Sequence, residues 1–111
     1  MQDKKLARLG DAYINLIYSL ALTQIHKEPC GVKVSDRTLA DAFKIAGLRS
    51  YLGTRLNRED FANASEAVLI EAYRKGSLTI DESVNIISSA TDPNSGIAKL
   101  LSLAVEKLTN L

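Results

Sequence analysis

Apolar residues recur at helical spacing along nearly the whole chain, and strand-like alternation is almost absent. The pattern predicts a first helix over about residues 3–26 and a second from the cap residue Ser35 to Gly47. A short turn or helix should cover about 48–54, and a long helix about 58–75, opened by Asn57 and closed by Gly76. Thr79-Ile80-Asp81-Glu82 has the spacing of a capping box and should open a helix to about Ala90. Asp92-Pro93 supplies a cap followed by proline at the first helical position, and the last helix should run to the C-terminus. The fold class expected is an all-α helical bundle, one domain over 1–111.

Two helices are unusually apolar. Residues 12–22 read AYINLIYSLAL, which predicts a central, buried first helix. Asp11, Asn15, Ser19 and Thr23, spaced by four, form a slowly drifting polar seam on it. Within this helix Gly10 and Asp11 stand back to back. The glycine costs about 1 kcal/mol relative to alanine there, and aspartate is also a poor helix former. Such a defect suggests a wanted carboxylate and a close approach by another backbone. In the 58–75 helix, Glu66 lies among Ala62, Ala64, Ala67, Leu69 and Ile70. A glutamate so placed is rarely buried without a partner. Asp11 and Glu66 are thus two carboxylates on two core helices, each without an obvious local cation. The plainer alternatives are a capping or surface aspartate and an ion pair at the edge of the core.

Composition narrows the chemistry. Hydrophobic residues make up 46% and charged residues 24%, as in ordinary globular proteins. The net charge of +1 excludes a polycation, so nucleic-acid binding needs a local basic face. Lys4, Lys5 and Arg8 are the candidate phosphate-contacting patch. The single cysteine, Cys30, excludes an internal disulfide and suits a cytoplasmic location. No apolar run is long enough for a membrane span, and the N-terminus lacks the pattern of a secretory leader. Two carboxylates meeting in a partly dry cleft need a shared proton or a cation. Oxygen donors without His or Cys point to Mg²⁺ or Mn²⁺.

Three segments carry a family resemblance. Lys4-Lys5-Leu6-Ala7-Arg8-Leu9-Gly10-Asp11-Ala12 is similar to the signature helix E-R-L-E-F-L-G-D-A of ribonuclease III. Val34-Ser35-Asp36-Arg37-Thr38-Leu39-Ala40-Asp41 resembles that family's V-S-N-R-T-L-A-E, and Gly47-Leu48 with Tyr51-Leu52 continues the pattern. Ala62-Asn63-Ala64-Ser65-Glu66-Ala67 falls where active members carry A-D-x-x-E-A. In order and spacing these segments cover about residues 4–75.

The resemblance implies the all-helical endonuclease domain, working as a homodimer whose valley accepts double-stranded RNA. It implies a minimal form without the family's separate double-stranded-RNA-binding domain. Asp11 and Glu66 then take the roles of catalytic metal ligands that hold Mg²⁺ or Mn²⁺ and help position the attacking water. Asn63 would assist through a neutral carbonyl oxygen. Ala7 and Asn63 stand where active members have two further carboxylates, and Lys4 replaces another signature glutamate. Two carboxylates balance the charge of one divalent ion, not two. The expectation is weakened metal-dependent phosphodiester hydrolysis. The alternative is a non-catalytic RNA-binding or structural dimer in RNA processing or ribonucleoprotein assembly.

Overall fold

Helix punctuation in the sequence translates directly into local structure. A computed structural model of the protein describes residues 4–48 and 56–109. Among these residues there are five helices and no strand: α1 (Lys4–His26), α2 (Asp36–Ile45), α3 (Arg58–Arg74), α4 (Ile80–Ser89) and α5 (Pro93–Thr109). Ser35 caps α2 by accepting from the Thr38 amide. Asn57 caps α3 in a full capping box with Asp60, and Thr79 does the same for α4 with Glu82. Each box satisfies amide donors that the first helical turn leaves open. Gly47 and Gly76 both adopt φ +76°, the left-handed conformation that lets the chain leave α2 and α3. Asp92 receives the Ser95 amide at 2.9 Å and opens α5 ahead of Pro93. Apart from Leu48, the short element expected over 48–54 and the Tyr51-Leu52 part of the motif lie outside the described residues, as does the end of the chain beyond 109.

Burial corrects one expectation. The central helix is α3, not α1. It packs against α1, α2 and α5, and Ala62, Ser65, Leu69 and Ala72 on it are fully buried. Ile97, Leu100, Leu101 and Ala104 of α5 are fully buried as well, and α5 packs against α2, α3 and α4. The last helix therefore spends its apolar surface on the core of its own chain. Helix α1 packs chiefly on α3 and α4, and buries Ala7, Tyr13, Ile14, Ile17 and Ala21. Its other flank carries Leu9, Leu16 and Leu20, which remain 49%, 47% and 39% exposed. A helix apolar on nearly every side is thus covered on only part of its circumference.

The polar seam of α1 has a structural job. Thr23 accepts the Cys30 amide at 3.1 Å, Ser19 accepts the Val32 amide at 2.9 Å, and Asn15 accepts the Val34 amide at 2.7 Å. Ser19 also donates to the Val32 carbonyl. Four helical residues advance about 6 Å, and two extended residues about 6.7 Å. Side chains spaced by four on α1 therefore match alternate residues of the extended 30–34 segment. This ladder lays the segment antiparallel along α1 and delivers the chain to the start of α2.

Candidate metal centre and its cleft

The contact between α1 and α3 creates the site. Gly10 is buried against the backbone of α3 at Glu66. A Cβ placed on Gly10 would lie 2.5 Å from the Glu66 carbonyl carbon and 2.8 Å from the Glu66 Cβ, with the carbonyl oxygen closer still. Only glycine permits this approach, which brings Asp11 and Glu66 together across 55 positions of sequence. The approach expected at the glycine is made by the residue carrying the second carboxylate.

The two acids have unlike surroundings. Glu66 is buried, with 5% of its surface exposed, whereas the Asp11 side chain is 34% exposed. Burial pushes the Glu66 carboxyl up to about 8. A hydrogen bond to Asp11 contributes to the rise, and the negative charges of Asp11 and Asp36 act in the same direction. Lys33 opposes them. At neutral pH and without metal, the raised value leaves Glu66 mostly protonated.

Stability should report this proton. In the unfolded chain Glu66 titrates near 4.5, and in the folded protein near 8. The group's contribution is fully present below the unfolded value and is lost as pH rises through the folded one. Glu66→Gln has no proton to lose. In EDTA, the stability of Glu66→Gln relative to wild type should increase from pH 5 to pH 9 by roughly 2–4 kcal/mol. Urea unfolding of both proteins across that range checks it, and parallel curves would refute the raised carboxyl.

Asp11 and Glu66 open into a cleft of about 360 Å³. Its other walls are Lys4, Ala7, Arg8, Lys33, Asp36, Glu59 and Asn63. The cleft therefore gathers Asp11, Asn63 and Glu66, the three expected ligands, with Lys4 and Arg8 of the basic patch. Lys5 is exposed on α1 and does not line the cleft. Ala7 contributes a bare wall one turn before Asp11.

The fold supplies Asp11 with a cation from outside its own helix. Lys33 places its Nζ 3.4 Å from the Asp11 Oδ2. The lysine is 22 residues away in sequence and reaches Asp11 because the ladder along α1 pins residues 32 and 34 on either side of it. The signal for this contact in the sequence is a four-residue polar periodicity on one segment and a Val-Lys-Val run on another. Glu66, by contrast, has no ion-pair partner among the described residues.

The donor set suits one hard cation. Two carboxylates and a neutral amide oxygen, completed by water, resemble the sparse protein coordination that Mg²⁺ accepts. They do not amount to a two-ion site. Among the described residues, no three His, Cys, Asp or Glu side chains converge in a way that could hold a metal. Ala7 and Asn63 line the cleft without adding a carboxylate to it.

A search of curated proteins returned no match. Comparison with family models matched that of ribonuclease III over residues 4–108. The match covers the glycine contact, both carboxylates and the helices that carry them, and it extends through α5, where the sequence carries no motif. The chain belongs to the ribonuclease III family.

Proposed function

We propose that this protein acts on double-stranded RNA as a metal-dependent endoribonuclease of reduced activity. The observation that carries this reading is the convergence of Asp11 and Glu66 in a polar cleft rimmed by Lys4 and Arg8. A divalent ion, Mg²⁺ or Mn²⁺, supplies Lewis-acid assistance to phosphodiester hydrolysis when bound. Asp11 and Glu66 hold that ion and orient water, with Asn63 as a neutral ligand. Lys4 and Arg8 contact phosphate oxygens and set the register of the backbone. Lys5 extends the same basic patch away from the cleft.

Cleavage of a double-stranded RNA in Mg²⁺ or Mn²⁺ tests the reading directly. Wild type should cut slowly, and Asp11→Ala should lower the rate about a hundredfold or more, equivalent to the loss of about 2.7 kcal/mol of transition-state stabilisation. Cutting that survives Asp11→Ala would place the chemistry elsewhere. The alternative reading, a dimer that binds RNA without cutting it, is favoured by the Lys33–Asp11 pair, which already partly satisfies the acidic site. It predicts salt-sensitive RNA binding with no cleavage in either ion.

The working unit in this proposal is a homodimer. The exposed stripe Leu9, Ala12, Leu16 and Leu20 on α1 supports it. Two copies laid antiparallel bring leucines against the alanine gap, so the stripe is self-complementary. A cytoplasmic location accompanies this reading. It agrees with the lone cysteine and with the absence, among the described residues, of a helix long and apolar enough to cross a membrane.

A further inference from the structure

We propose that Lys33 is a tethered competitor for the divalent ion, so that metal binds at Asp11 only by displacing its ammonium. The proposal rests on the reading that Asp11 and Glu66 bind one hard cation.

Three observations carry it. The first is position. The Lys33 Nζ lies 3.4 Å from the Asp11 Oδ2, and ammonium and metal ion compete for that oxygen. The second is how Lys33 is held. The Val32 amide and carbonyl are bonded to Ser19, and the Val34 amide to Asn15, so the backbone on both sides of Lys33 is fixed to α1. The same helix that carries Asp11 thereby presents the lysine to it. The third is the strength of the contact. The Lys33 side chain is 73% exposed, and ion pairs so exposed are weak. Lys33 is strong enough to occupy Asp11 in the absence of metal and weak enough to be displaced by it.

Charge in the cleft agrees. Asp11, Asp36, Glu59 and Glu66 face Lys4, Arg8 and Lys33. Three basic side chains thus stand against four acidic ones. A metal ion entering such a cleft meets repulsion from cations as well as attraction from acids. Lys33 is the cation paired directly with a ligand.

The test is Mn²⁺ binding to the full chain, read by the electron paramagnetic resonance signal of free Mn²⁺, without RNA and without turnover. Lys33→Met should tighten the Mn²⁺ dissociation constant about twofold to fivefold, the scale of an exposed ion pair. Lys33→Arg keeps the positive charge and should retain the wild-type affinity. Asp11→Asn should weaken binding at least tenfold, both alone and in the Lys33→Met background. If Asp11→Asn weakens binding but Lys33→Met leaves it unchanged, the metal site stands and the competitor role is overturned. If no variant and no wild type binds Mn²⁺, both the site and the competitor fall. Equal tightening by Lys33→Met and Lys33→Arg would overturn it too, because charge would then not be the cause.

Discussion

Gly10→Ala should destabilise the protein by about 3 kcal/mol, lowering its melting temperature by roughly 10–15 °C. The direction is the informative part. Alanine is the better helix former, and on propensity alone the substitution would stabilise α1 by about 1 kcal/mol. Against that gain stands the Glu66 backbone, which a methyl group at position 10 would strike. Backbone cannot rotate aside as a flexible side chain can, so α1 and α3 must separate. Separation loosens the packing of α1 on α3 and widens the gap between Asp11 and Glu66. Gly10→Ala should therefore also weaken Mn²⁺ binding in whatever fraction remains folded. Thermal unfolding followed by circular dichroism, with Mn²⁺ titration at a temperature where the variant is folded, measures both effects. A variant more stable than wild type would mean that the two helices are not in backbone contact.

This glycine also shows what was legible in the sequence. A residue that costs helix stability in the middle of a helix implies close approach, and its neighbour Asp11 implies chemistry. Helix limits were legible for a related reason. Ser35, Asn57, Thr79 and Asp92 are short polar side chains placed where amide donors need partners, and Gly47 and Gly76 stand where φ becomes positive. Glu66 was recognisable as an acid on an apolar face.

Two features were not legible, because both depend on which surfaces meet. Leu9, Leu16 and Leu20 look like core residues, yet local pattern shows only that a face is apolar, not that the same chain covers it. Lys33 looks like an ordinary loop lysine. Its meeting with Asp11 follows from a match between two periodicities, one helical and one extended, that lie on separate segments.

Placing carboxylates at positions 7 and 63 is the strongest test of the proposal that their absence limits this site. The double variant Ala7→Glu/Asn63→Asp should bind two Mn²⁺ ions where one is expected for wild type, and should cleave double-stranded RNA at least tenfold faster, a gain of about 1.4 kcal/mol in transition-state stabilisation. The positions are suitable. Ala7 lies one turn before Asp11 and lines the cleft, and Asn63 lies one turn before Glu66 and lines it too. The exchange at 63 replaces an amide by a carboxylate of nearly the same shape. The exchange at 7 is costlier, because Ala7 is buried and a carboxylate introduced there joins Asp11 and Glu66 at close range. Without metal the variant should accordingly be less stable than wild type by about 1–3 kcal/mol in EDTA. Saturating Mn²⁺ should then raise its melting temperature more than that of wild type, since tighter binding to the folded state stabilises it further. Loss of stability without gain of a second ion would show that the cleft cannot accept the larger side chain, and that alanine at position 7 is held by packing. Gain of a second ion without faster cleavage would show that what limits the reaction lies beyond the ligand set, in the grip of the chain on RNA.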